Sequence, residues 1–260
     1  MGVVPIAVGS KWGGNRKKKP ELSVITGLTS SYLYRMIQQY TLDFLSDLKA
    51  NNNRDWFQTN KSVYEKAHQN TITFADSLLE KMRVHDSIET PSGKASLFRI
   101  YADTRFSKDK APYKIHFGIR FSRATAYLRG GYYFHLEPGN SFMAGGFFSP
   151  NPDDLKRIRE DISLNYEEWK ELVGQPKFIE TFGELKGDGV KTAPKGFDKD
   201  HPAIELLRKK QFILSRNFTD KEVLQSDFAE RLDQTFRELR PFFDYMSEVL
   251  TTDSNGESIL

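Results

Sequence analysis

Two histidines, a glutamate and a tyrosine recur at even spacing near the middle of the chain. In KIHFGIRFSR, Lys114, His116, Gly118 and Arg120 alternate with Ile115, Phe117, Ile119 and Phe121. In GGYYFHLEPG, Tyr133, His135 and Glu137 alternate with Tyr132, Phe134 and Leu136. An imidazole titrates near neutral pH and can give or take a proton, and a neighbouring carboxylate can fix its tautomer and orientation. His116, His135 and Asp103 are therefore the candidate catalytic residues, with Asp103 or Glu137 orienting a histidine and Arg105 stabilising an oxyanion. Period-two alternation is the mark of a half-buried strand. Paired antiparallel through a loop near residues 124–128, with Arg120 opposite Gly131, the two segments set His116 opposite His135 and Lys114 opposite Glu137. All of these then lie on the face away from the core. A slip of two residues changes the partners and keeps the face, whereas a slip of one buries the charges.

The connector ahead of the first of these segments, RFSKDKAPYK, is dense in cations and ends on a directed turn. Pro112 restricts Ala111 to extended backbone, which aims Tyr113 and Lys114 towards the sheet. Arg99, Arg105, Lys108, Lys110, Tyr113, Lys114, Arg120 and Tyr133 are the candidate ligand-binding residues, because clustered guanidinium and ammonium groups neutralise phosphate or carboxylate through charge-assisted hydrogen bonds. The competing reading is that Asp103, Asp109 and Glu137 pair with these cations while water solvates the rest.

The charge distribution supports a local role for that region. The chain of 260 residues carries a net charge of +3. Between Lys94 and Arg123 there are eight cations and two acids, and a second basic block lies between Lys11 and Arg35, so the remainder is acidic. Cysteine is absent, which excludes disulfides, thiolate nucleophiles and cysteine-ligated metals and fits a reducing compartment. No apolar run has membrane-spanning length and no charged leader precedes the first apolar patch, so the cytoplasm is the expected location and no membrane partner is expected.

The elements that must position these groups are expected to form an α+β domain: an antiparallel sheet flanked by N-terminal and C-terminal helices. Residues 1–35, rich in glycine and lysine, are expected to be a flexible basic extension, with Met36 as a natural start. Residues 36–250 are expected to form the single domain, and 251–260 a disordered tail. Leu42, Phe44, Leu45 and Leu48 share a helical face with Thr41 as cap, and Asn51 to Asn53 interrupt. Helical spacing then continues from Trp56 to about His85, carrying His68 as an ordinary helix residue. ASLFRIYADTRF is expected to be the first strand, and SFMAGGFFSP a later one whose Gly145 and Gly146 imply a bulge or a close backbone approach. Asn151-Pro152-Asp153 caps a helix bearing Leu155, Ile158 and Ile162. Trp169, Leu172 and Val173 mark a second, HPAIELLRKK restarts a helix, and 227–250 is expected to be a final helix with an aromatic core stripe.

The runs FRIYADTRFSKDKAPYKIHFG and GGYYFHLEPGNSFMAGGFFSPNPDDLKRIREDI resemble the hallmark of domain-of-unknown-function family 2461, an uncharacterised family of bacteria and fungi. LDFLSDLKANNNRDWF is similar to its opening, and KTAPKGFDKDHPAIELLRKKQF to a later segment. The resemblance runs from about Met36 to about Leu250 and implies no activity. At Ala102 the chain departs from the arginine expected before the aspartate, so no paired arginine–aspartate role carries over.

The leading functional reading is a module that binds a small anionic ligand on the basic sheet face. The alternatives are an enzyme using a histidine–carboxylate acid–base pair, for instance a hydrolase, and a nucleic-acid-binding or scaffold protein with Tyr113, Tyr132 and Tyr133 as stacking platforms. Two histidines and a carboxylate could hold a metal, but strand histidines are more often simply exposed, so no metal site is assigned. No GxSxG, HExxH or glycine-rich phosphate motif occurs, and no cofactor is legible. The shared-face argument requires the His116 and His135 rings to lie within about 10 Å, roughly twice a strand spacing.

Overall fold

The computed structural model describes residues 35–105, 110–253 and 255–260. Residues 1–34 of the N-terminal basic extension, Lys108 and Asp109 lie outside the described residues.

Strong alternation produces the sheet. β1 (Phe117–Ser122), β2 (Gly131–Leu136), β3 (Ser141–Phe147) and β4 (Phe212–Phe218) form a four-stranded antiparallel meander in the order β1-β2-β3-β4. The register differs by two residues from the one expected: Arg120 opposes Tyr133 and Gly118 opposes His135. The faces are kept. Phe117, Ile119, Phe121, Tyr132, Phe134, Leu136, Met143, Phe147, Phe212, Leu214 and Phe218 are buried on one side. A slip of two preserves their burial where a slip of one would reverse it.

Helices cover that apolar side. α1 (Gln39–Ala50), α2 (Arg54–Thr59), α3 (Lys61–Met82) and the short α4 (Gly93–Ser96) precede the sheet. Leu42, Phe44, Leu45 and Leu48 form the buried face of α1 as their spacing requires, but Thr41 lies inside the helix and donates to Asn70 Oδ1 at 2.7 Å rather than capping it. Asn53 caps α2 by accepting from the Trp56 N–H, and the break at Asn60 splits what the pattern reads as one helical run. α5 (Pro152–Leu164), capped by Asn151, α6 (Tyr166–Gly174), α7 (Pro176–Phe182) and α8 (Ile204–Leu207) lie between β3 and β4. α9 (Asp220–Val223), α10 (Phe228–Glu238) and α11 (Arg240–Thr251) end the domain, and the final helical stretch breaks where Pro241 follows Arg240. Phe74 of α3 lies 6.0 Å from Phe134 and 5.9 Å from Phe228, joining three layers of rings. Beyond α11 the tail turns back, with Ile259 N–H donating to the Thr251 carbonyl, instead of remaining without structure.

Two expectations fail at the sheet's margins. Over its described residues, 95–105, ASLFRIYADTRF is not a strand: after α4 it makes isolated bridges from Leu97 to Ile119 of β1 and from Tyr101 to Tyr113. β4 was not anticipated, because the consecutive Phe212, Ile213 and Leu214 obscure the alternation that Phe212, Leu214 and Phe218 follow. The glycine pair in β3 does mark close approach. A Cβ on Gly145 would collide with Leu239 and Phe243, and Gly146, at φ +136°, lies against the Phe212 carbonyl.

A buried ionic network ties the end of β1 to the C-terminal helices. The Arg123 side chain is fully buried; its Nε donates to Asp86 Oδ2 at 2.9 Å and its Nη2 to Asp244 Oδ1 at 2.6 Å. Tyr132 donates its hydroxyl to the same Asp86 oxygen at 2.6 Å, and Arg240 lies 3.4 Å from Asp86 Oδ1. Burial alone would lower the Arg123 pKa, but the hydrogen bonds and charges of Asp244 and Asp86 hold it above the ordinary value. Arg123 therefore leaves the basic surface that its neighbours in sequence form. Removing one member of a buried ion pair strands the other. Arg123→Met is expected to cost about 3–5 kcal/mol in urea unfolding, whereas Arg120→Met, at an exposed position, should change stability by less than about 0.5 kcal/mol.

Candidate functional site

The second face of β2 carries a connected row in which His135 and Glu137 are themselves buried. Tyr133, His135 and, one residue past the strand, Glu137 project from alternate positions. Tyr133 Oη lies 3.0 Å from His135 Nδ1, and His135 Nε2 lies 3.1 Å from Glu137 Oε2. One tautomer satisfies both contacts: Nε2–H donates to the carboxylate, and Nδ1 accepts from the tyrosine hydroxyl. The Pro138-Gly139 turn brings Asn140 back to donate to Glu137 Oε2 at 2.9 Å, and Lys49, in the last turn of α1, reaches Oε1 at 3.4 Å. Burial by itself would raise the Glu137 pKa, but the hydrogen bonds from Asn140, His135 and Lys49 outweigh it and hold the carboxyl below the ordinary value. Burial pushes the Tyr133 phenol up to about 12. Gly118, opposite His135, supplies the room: a Cβ there would meet the Phe98 ring at 2.8 Å and the Tyr133 hydroxyl at 3.0 Å.

His116 joins this row from the residue before β1. Its ring centre is 4.1 Å from that of His135, well inside the limit set by the shared-face argument. Phe142 packs on His135 as well, 4.6 Å away. Burial, and then the neighbouring His135, lower the His116 pKa to about 4, so His116 is neutral at pH 7. Among the described residues no group of three or more histidine, aspartate or glutamate side chains is disposed to hold a metal ion.

The connector cations are engaged locally. Arg105 closes on Asp103 with Nε–Oδ1 at 3.0 Å and Nη2–Oδ2 at 2.7 Å, and this pairing holds the Asp103 carboxyl below its ordinary value. Asp103 thus partners Arg105 and does not orient a histidine; Glu137 does. Lys110 donates to the Thr104 carbonyl at 2.8 Å. Lys114 donates to the Arg99 carbonyl at 3.0 Å with its ammonium 5.5 Å from the Phe98 ring centre, and burial lowers its pKa. Arg99 and Arg120 are exposed. Tyr113 is buried, stacked on Phe57 at 4.0 Å, and Tyr132 is enclosed by Phe236 and Phe243. Neither tyrosine presents a stacking platform of the kind a nucleic-acid reading needs.

Two adjoining hollows lie beside this connector. The larger, about 570 Å³, is lined among others by Arg54, Gln58, Tyr101, Lys110 and Tyr113. The smaller, about 190 Å³, is lined among others by Asp103, Lys114 and His116. Asn52, Ala102 and Tyr113 border both. Ala102 is the position where the family resemblance led to an arginine. Asn52 clamps Tyr113 from both sides of its peptide unit, donating to its carbonyl at 2.8 Å and accepting from its N–H at 3.2 Å. The run NNNR, read only as a helix interruption, supplies this clamp, the α2 cap and the cleft cation Arg54. Lys49, Asn140 and Phe142 were also missed, because their roles depend on contacts distant in sequence or on a turn's return path.

The His116 pKa sets a pH dependence. With 6.5 as the ordinary value and about 4 in the folded chain, unfolding takes up a proton between those limits. Stability from this group is therefore complete above about pH 6.5 and is lost as pH falls towards 4. In an NMR titration, His116 should protonate with a midpoint near 4, and His116→Gln should flatten the loss of stability across that window.

Among the described residues no helix is long and apolar enough to cross a membrane. Comparisons with curated proteins and with solved structures found no match. A family model matches residues 40–245, which span the helices of the first half, the sheet and both hollows. The chain therefore belongs to the family described as "Conserved hypothetical protein (DUF2461)".

Proposed function

We propose that this protein binds a small anionic ligand in the paired hollows beside the sheet, with Arg54 and Lys110 lining the larger and Lys114 and His116 lining the smaller. The observation that carries this reading is the junction of the two hollows. They share Asn52, Ala102 and Tyr113, so one ligand can reach from the cations of the larger to the imidazole of the smaller. Their combined size suits a small molecule. The carboxylate of Asp103 is already matched by Arg105, so it does not cancel the other cations. Lys110 donates to a backbone carbonyl, a neutral contact that an anion can replace with a stronger charge-assisted one.

A second reading is favoured by the row Glu137–His135–Tyr133. A histidine with one nitrogen on a carboxylate and the other on a hydroxyl is arranged for proton transfer, and the neighbouring His116 is neutral. Hydrolysis of a bound ester or phosphoester is the reaction class such a pair would serve. If that chemistry operates, His135→Gln should lower turnover about 100-fold to 10,000-fold, with ligand affinity unchanged, in a hydrolysis assay over aryl esters and aryl phosphates. Retention of full turnover would sink this second reading.

Thermal shift and calorimetric titration with pyrophosphate, sugar phosphates and citrate test the binding reading. A ligand at a hundredfold its Kd should stabilise the chain by about 2.7 kcal/mol, and an Arg54→Glu, Lys110→Glu double variant should abolish the effect while keeping the circular dichroism spectrum. Absence of any shift at millimolar anion would overturn the proposal.

A further inference from the structure

The cleft has an aromatic wall, and the geometry points to a ligand that carries a planar ring together with its anionic group, such as a nucleoside monophosphate or an aryl phosphate. This inference rests on the anion-binding reading and narrows its substrate class. Tyr101 lines the larger hollow and is 55% exposed, although an aromatic side chain of this size is usually covered in a folded domain. It is not a loose side chain. Its ring packs 5.6 Å from Tyr113, and Tyr113 stacks on Phe57 at 4.0 Å with the planes 12° apart, so the three rings form a ladder from the core to the cleft. The inner rungs are fixed: Tyr113 is held by its isolated bridge to Tyr101 and by the Asn52 clamp. A rigid outer ring loses little freedom when a flat ligand packs on it.

Charge stands beside this ring within the same hollow. Arg54 and Lys110 both line it, so a ring on Tyr101 would bring an attached phosphate or carboxylate within their reach. An apolar ligand would leave these cations unmatched, and a ringless anion would leave the Tyr101 face uncovered. A ligand with both parts satisfies both surfaces. Nucleic acid fits less well, since Tyr113 and Tyr132 are buried and a single exposed tyrosine in a cleft offers no successive platform.

The test is calorimetric titration of the full chain with phenyl phosphate, a nucleoside monophosphate, methyl phosphate and ribose phosphate. Stacking predicts that at least one ring-bearing phosphate binds about tenfold or more tightly than its ringless counterpart. Tyr101→Leu should remove that ratio, while Tyr101→Phe should keep it. Equal affinities for ring-bearing and ringless phosphates would overturn this inference and leave the cleft's anion binding intact. No binding by any of the four would overturn both. A preserved ratio in Tyr101→Leu would show that the ring is recognised elsewhere and would equally overturn the assignment.

Discussion

The pairing of β1 with β2 can slip by two residues without harm and by one only at great cost, and that inequality organises this molecule. A one-residue slip would expose Phe117, Ile119 and Phe121 and drive Arg120 against the ring core of Phe74, Phe134 and Phe228. Burial of large aromatic side chains is worth a few kcal/mol each, so the alternative is out of reach. With parity fixed, Tyr133, His135 and Glu137 must emerge together on the other face, and in the register that forms Gly118 lies opposite His135. The hydrogen-bonded row is thus a by-product of core formation, and its members need no separate device to bring them to one side.

The same parity explains why neighbouring cations meet different fates. Arg120 points to the open face, whereas Arg123, just past the strand end, turns inwards to Asp86 and Asp244. There it anchors the β1 end to α11, while Tyr132 adds a hydroxyl to the same carboxylate from β2. The basic character of the central sequence therefore divides into a structural part and a surface part. Local charge density in a sequence does not distinguish them.

How much of this was legible depended on the range of the interaction. The helical faces of Leu42 to Leu48 and of Ile158 and Ile162, the alternation of the hairpin, the cap at Asn151 and the close approach at Gly145 are set by near neighbours or by side-chain absence, and they could be read. The hairpin face was legible while its partners were not, because period two fixes a side but leaves even slips nearly equivalent. β4 escaped because Ile213 makes the run look uniformly apolar. The segment from Ala95 to Phe106 reads as a strand, yet among its described residues it forms isolated bridges rather than a ladder, one to Ile119 of β1 and one to Tyr113. Of the two roles open to Asp103, pairing with a cation prevails for a simple reason: Arg105, two residues away, captures it before any distant histidine can. Lys49 and Asn52 gave no local sign, because what they hold lies 88 and 61 residues further along.

The end of α1 has a consequence of its own. Lys49 grips Glu137 at the foot of the imidazole row, and three residues later Asn52 grips the main chain of Tyr113 at the border of both hollows. One helix terminus thus serves as a common tether for two regions that are far apart in the chain. The position of Glu137 and that of the Tyr113 main chain are therefore both referred to one helix end, so a shift of that end would move both contacts together.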